Sequence, residues 1–159
     1  MKICHITTVH KPSDVRIFYK QCCSLQKNGF YVDLIAPNVK KKSLEGVKLI
    51  GLEPTKNNRL YRIFKLSKVA YVLAIESNAD IYHFHDPELL RIGLKLVRKG
   101  RKVIYDVHED LPRQILTKHW INPFLRKTIS FLIEKYENYA ARKMSAVIGA
   151  TPHITQRFI

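Results

Sequence analysis

Short apolar bursts alternate along the chain with longer stretches whose apolar positions recur every three or four residues. Lys2 to Thr8 reads as a strand. Asp14 to Asn28 reads as a helix with Asp14 or Ser13 as its N-cap, Phe18, Cys22 and Leu25 on one face, and Gly29 as its stop. Phe30 to Ala36 is a second strand, ended by Pro37-Asn38, and the basic stretch Lys40-Lys41-Lys42-Ser43 leads to a short strand at Val47 to Leu52. Arg59 to Glu76 is helical. Asp80 to His85 is a strand stopped by Asp86-Pro87, Glu88 to Lys99 a helix stopped by Gly100, and Lys102 to Val107 another strand. A long helix opens at Asn122-Pro123, with Leu125, Ile129, Leu132, Tyr136 and Tyr139 marking its expected buried face. Ser145 to Ala150 is a last strand.

Strands dense in Val, Ile and Tyr alternating with helices predict an α/β fold, an open parallel sheet covered by helices on both faces. Neither a repeat nor a low-complexity segment interrupts the order. A chain of 159 residues suits one domain spanning 1–159. Thr151 to Ile159 looks like the opening of a helix without room to finish, so the chain is expected to be part of something longer.

Charge adds a partner class. Twenty-eight Lys plus Arg against 13 Asp plus Glu give a formal net charge of +15, which favours nucleic acid, an anionic membrane or phosphorylated substrates. Cys4, Cys22 and Cys23 neither pair evenly nor space like zinc ligands, which points to a reducing compartment. The N-terminal apolar stretch is interrupted by His5, Thr7 and Thr8 and does not read as a signal peptide. The longest apolar run, Val69 to Ile75, is far shorter than the ~20 residues a bilayer needs. A cytoplasmic location, at most touching a membrane, is expected.

In doubly wound folds ligands sit beyond the carboxyl ends of the strands. Those ends carry Thr7-Thr8-Val9-His10 with Asp14 and Arg16, then His83-Phe84-His85-Asp86-Pro87, then Asp106-Val107-His108-Glu109-Asp110. With His5 inside the first strand, this is a histidine cluster of the kind found at functional sites. The first loop has no glycine, so it offers neither a GxGxxG fingerprint nor a Walker A cradle, and this half is not expected to hold a nucleotide by itself. A GxSxG elbow is also missing.

The run His10-Lys11-Pro12-Ser13-Asp14-Val15-Arg16-Ile17-Phe18-Tyr19-Lys20, the strand end His83-Phe84-His85-Asp86-Pro87, and Asp106-Val107-His108-Glu109-Asp110-Leu111-Pro112-Arg113 together resemble the N-terminal domain of bacterial family 4 glycosyltransferases of the GT-B fold, found in capsule, O-antigen and exopolysaccharide clusters. The resemblance implies two Rossmann-like domains across a cleft. The N-terminal one binds the acceptor; the C-terminal one binds the nucleotide-sugar donor through a Glu-x7-Glu motif that has no counterpart in this sequence. It further implies retaining chemistry, a saccharide or polyprenyl-diphosphate-linked acceptor, and no cofactor or protein-held metal. The family's Gly-Gly turn in the first loop is replaced here by Val9-His10-Lys11-Pro12.

The resemblance gives His108 the most specific role, facing the donor sugar, where an imidazole can hydrogen-bond a hydroxyl or stabilise charge. The alternative is a cap on the next helix. Asp106 and Glu109 are candidates to fix its tautomer. His85 and Asp86 either line the acceptor wall and position the neighbouring loop, or form a turn whose aspartate caps the helix near Glu88. His5 and His83 are expected to be packed core residues. His10, Asp14, Arg16 and Lys20 surround a helix N-terminus where an acceptor phosphate would be favoured, or else form a cap with a solvated ionic face.

Arg59, Arg62, Lys65 and Lys68 run without acidic relief among aromatic and aliphatic residues, and Lys118, Trp120, Phe124, Arg126 and Lys127 form a second such group. Both are expected to meet an anionic membrane surface. A basic nucleic-acid-binding module is the rival assignment, supported by charge alone. A His/Asp metallohydrolase is weaker, since ligand pairs such as His-x-x-x-His are missing.

Overall fold

The computed structural model describes residues 1–53 and 59–159, the side chain of Arg59 excepted. Its strands are β1 (Lys2–Ile6), β2 (Tyr31–Pro37), β3 (Ser43–Leu44), β4 (Val47–Leu52), β5 (Ile81–Phe84), β6 (Lys102–Val107) and β7 (Ala146–Gly149). They form one sheet in the order β3-β4-β2-β1-β5-β6-β7. Every pairing is parallel apart from the short β3 against β4. The chain builds outward from β1 in one direction, then returns to β5 and builds outward in the other. The β1/β5 boundary is therefore the switch point of a doubly wound sheet, where the connections diverge and leave a crevice.

The first helix begins as a π-type segment, Val15–Cys22, and continues as α1 (Cys23–Lys27). Asp14 starts it: its Oδ1 accepts from the backbone N–H of Arg16 and of Ile17, both at 2.9 Å. Gly29 follows with φ +83, a left-handed conformation that lets the chain leave the helix without a Cβ penalty. Ile17, Phe18, Cys22 and Cys23 pack on Val32, Leu34 and Ala36 and form the smaller core on one face of the sheet.

The other face carries α2 (Arg59–Tyr61), a π-type segment Arg62–Leu66, α3 (Ser67–Ser77), α4 (Leu90–Arg98, entered through a 3-10 turn at Pro87–Leu89), α5 (Leu111–Leu116), α6 (Pro123–Ala141) and α7 (Pro152–Gln156). Leu66, Ala70, Leu89, Leu96, Ala140 and Ile154 join the strand residues Tyr82, Phe84, Val103 and Tyr105 in the main core. Helices on both faces of an open parallel sheet are what the sequence pattern predicts. The pattern misses α5, whose six residues are too few to show a period, and β3.

The rotation of α6 reverses the expectation. Leu125, Leu132, Tyr136 and Tyr139 are 44% to 59% exposed and Ile129 is half-buried, whereas Ser130, Glu137, Ala140 and Ala141 are buried. Polar anchors set this orientation. The Tyr105 hydroxyl donates to Glu137 Oε1 at 2.6 Å, the Arg157 guanidinium pairs with the other oxygen of the same carboxylate, and Ser130 Oγ donates to the Pro112 carbonyl at 2.8 Å. Leaving that buried carboxylate unpaired would cost more than exposing the apolar stripe.

Candidate functional site

Alternation along three neighbouring strands builds a polar layer. Tyr82 and Phe84 of β5, and Tyr105 and Val107 of β6, point into the main core. His83 and His85, Asp106 and His108 therefore emerge on the opposite face, as His5 does between Cys4 and Ile6 of β1. Parallel register places His5 beside His83.

Asp106 is the hub of this layer. Fully shielded from solvent, it accepts from Arg16 Nη2 through Oδ1 and from Gln21 Nε2 through Oδ2, each at 2.7 Å. The same Oδ2 has His85 Nδ1 at 3.4 Å, His108 Nε2 at 3.5 Å and His83 Nε2 at 3.6 Å. Burial alone would raise the Asp106 pKa; the imidazoles of His108, His83 and His85 and the Arg16 guanidinium overcome it and hold the carboxyl far below its usual range. Behind it, His5 Nδ1 lies 3.1 Å from His85 Nε2, and His85 Nδ1 lies 3.2 Å from His108 Nε2. Burial drives the pKa of His5 well down and that of His85 down to about 3, so both are neutral at physiological pH.

Asp86 does not cap the following helix. Its Oδ2 instead accepts from the Thr8 backbone N–H at 2.6 Å, the Thr7 hydroxyl at 3.0 Å and the Thr8 hydroxyl at 3.1 Å, which ties the loop after β1 to the loop after β5. Burial pushes its carboxyl pKa up, against the pull of the Thr8 N–H and of His10. His108 does not cap a helix either: Asp110 occupies the position before α5, and His108 turns Nε2 inward to the cluster.

A pocket of about 220 Å3 opens on this junction, lined by His10, Arg62, His85, Asp86, His108 and Glu109 among others. His10 sits between two carboxylates, Nδ1 at 3.4 Å from Asp14 and Nε2 at 3.6 Å from Asp86. Glu109 accepts from Gln114 instead of from His108. The helix N-terminus offered for an acceptor phosphate is already filled by the carboxylate of Asp14, and Arg16 turns away from it to Asp106. Nor is Arg62 a free surface cation. It donates to Glu88 Oε1 at 2.9 Å and borders the pocket. Lys65, Lys68, Trp120 and Lys127 are exposed, Lys118 lying over the Trp120 ring; Arg126 is half-buried and donates to the Leu116 carbonyl; the Arg59 side chain lies outside the described residues.

The sequence profile of glycosyltransferase family 4 matches residues 15–159. The chain belongs to glycosyltransferase family 4. The matching profile spans the strand ends that carry His85, Asp106 and His108. Among solved structures, sucrose-phosphate synthase from Thermosynechococcus elongatus is similar, with a TM-score of 0.71 at 12% identity over 98% of this chain and 43% of that enzyme. The likeness is one of fold, and the chain spans less than half of that enzyme's length. Curated proteins gave no match. In this family 4 domain His5 and His83 are buried, as expected of packed core residues, and with Gln21, which the sequence pattern does not mark, they form the inner side of the site. The signal for His83 lies in the strict alternation of Tyr82-His83-Phe84-His85, and that for His5 in its place between the apolar Cys4 and Ile6. Among the described residues two sets of donors converge closely enough to share a cation, His5 with His83 and His85, and His85 with Asp106 and His108. They arrive from neighbouring strands, so spacing along one helix does not reveal them. Also among the described residues, no helix is long and apolar enough to cross a membrane.

Proposed function

We propose that residues 1–159 form the acceptor-side, N-terminal half of a retaining glycosyltransferase, which moves a sugar from a nucleotide-sugar to a cell-surface polysaccharide or lipid-linked saccharide precursor. The carrying observation is His108 at the pocket beside the β1/β5 switch point, its Nε2 engaged inward by His85 and Asp106. That engagement leaves Nδ1 to serve a ligand. Asp86 and His85 supply the wall, and Glu109 and His10 the rim. The donor would be held mainly by a second domain carrying the Glu-x7-Glu motif, and the isolated chain would turn over no sugar nucleotide.

The reading extends to the surface around the pocket. Leu60 and Phe64 are more than 60% exposed beside Lys65 and Lys68. Trp120 and Phe124 are each 78% exposed, and Phe131, with Lys135 over its ring, continues the stripe along α6. Aromatic and aliphatic bodies interleaved with cations on a chain of net charge +15 suit the cytoplasmic face of an anionic membrane, where a lipid-linked acceptor would be found. Nucleic acid has only the charge in its favour.

In the enzyme carrying both halves, His108→Ala should lower turnover roughly 100-fold or more while leaving the thermal midpoint close to that of the parent, the scale of losing one positioned transition-state group. Near-normal turnover would remove His108 from the reaction centre.

A further inference from the structure

Three atoms at the carboxyl edge of the sheet form a closed triangle. His85 Nδ1 is 3.2 Å from His108 Nε2 and 3.4 Å from Asp106 Oδ2, and His108 Nε2 is 3.5 Å from the same oxygen. Protons cannot satisfy all three sides. An ionised carboxylate only accepts, so both nitrogens must carry hydrogen to bond it, and two N–H groups then face each other. If either nitrogen is bare, its lone pair faces the carboxylate. A cation at the centre satisfies every side at once. Ligand atoms about 2.0–2.1 Å from a tetrahedral zinc are separated by about 3.3–3.4 Å, which the three observed distances bracket.

The surroundings are those of a metal centre. Two of the three ligands are fixed from behind: His85 through Nε2 against His5 Nδ1 at 3.1 Å, Asp106 through Arg16 and Gln21 at 2.7 Å each. Such outer contacts orient metal ligands and set the imidazole tautomer. His83 Nε2, in a side chain more than nine-tenths buried, has no hydrogen-bond partner and stands 3.6 Å from Asp106 Oδ2. His108, 14% exposed and on the pocket wall, gives an entry path.

We propose that His85, Asp106 and His108 bind a divalent first-row cation of the zinc class, with a further coordination position facing the pocket or His83. Two imidazoles and one carboxylate suit Zn2+ and its congeners better than Mg2+ or Ca2+. The inference stands apart from the acceptor-side reading, since the cation takes Nε2 of His108 and leaves Nδ1 to the pocket.

The test is titration of the protein with Co2+, followed by its visible d–d absorption, and with Zn2+ by calorimetry; neither uses a sugar. One equivalent should bind with the intense bands of four- or five-coordinate cobalt. His108→Ala should abolish those bands and weaken binding roughly 100-fold or more, and Gln21→Ala, which leaves all three ligands in place, should weaken it by about 10- to 100-fold. His119→Gln with His153→Gln, outside the cluster, should change nothing. Absence of stoichiometric binding, binding indifferent to both His108→Ala and Gln21→Ala, or binding lost with His119 and His153 would each overturn the assignment.

Discussion

Arg16 Nη2 lies 2.7 Å from Oδ1 of Asp106, joining the first helix to the end of β6 across 90 residues of sequence. A side chain one residue into the helix thereby neutralises a carboxylate wholly removed from water. Arg16→Met should leave that anion buried without its cation and cost about 2 kcal/mol or more in denaturant unfolding. Arg16→Lys should recover only part, because an ammonium presents a point charge where the guanidinium presents a directed fork. A loss under ~0.5 kcal/mol for Arg16→Met would show that Gln21 and the histidines suffice.

Asp14 gives a prediction with a pH signature. Burial opposes its ionisation, but the N–H groups of Ile17 and Arg16 and the nearby His10 outweigh burial, and its carboxyl pKa lies below the ordinary value. A depressed folded-state pKa contributes stability that is fully present above the unfolded value, near 3.9, and is lost as pH falls through the folded one. Asp14→Ala should therefore cost about 1 kcal/mol at neutral pH, and the gap from the parent should narrow below about pH 4. A gap that stays constant down to pH 2 would assign the loss to something other than the charged cap.

Gly93 in α4 faces the ring of Phe84. A Cβ there would stand 2.6 Å from Phe84 Cε1 and 3.0 Å from Met144 Cε. The methionine can yield, the buried ring cannot, so Gly93→Ala should destabilise by about 1–3 kcal/mol despite the better helix propensity of alanine. Thermal unfolding of the variant decides it, and a gain in midpoint would mean that the helix shifts outward at little cost.

Membrane docking should follow the exposed residues and not the sequence cluster. Lys65→Gln, Lys68→Gln and Lys127→Gln together remove three exposed cations worth about 1 kcal/mol each near an anionic bilayer, and should weaken partitioning to phosphatidylglycerol vesicles on the order of 100-fold at low salt. The thermal midpoint should hold. Arg62→Gln belongs to a different experiment, since it breaks the pair with Glu88 and should lower the midpoint. A parent protein that ignores such vesicles at low salt would redirect attention to nucleic acid as the polyanion.

The strands and most helices were legible because their periods are regular and their ends carry turn residues: Asp14 before the first helix, Gly29 and Gly100 after two of them. The face of α6 was not. Its apolar positions have a helical period, but period identifies a stripe without saying what lies against it, and the deciding contact joins Glu137 to Tyr105 and Arg157. The strand-end histidines were legible as a group. Their geometry was not, because Asp106 gathers Arg16, Gln21, His83, His85 and His108 through contacts that no local spacing records.

The loop clamp at Asp86 reaches back 78 residues to Thr8, and the link from Asp106 to Arg16 reaches back 90. A ribosome must therefore release the chain past His108 before any of this pocket can close. Until then the first helix carries Arg16 and Gln21 with nothing to hold, and β1 presents His5 on an unfinished edge. Contacts of such long sequence separation form late and slowly. Substitutions at Thr8 or Asp86 should thus act chiefly on how fast a completed sheet opens, and leave the rate of its first collapse nearly untouched.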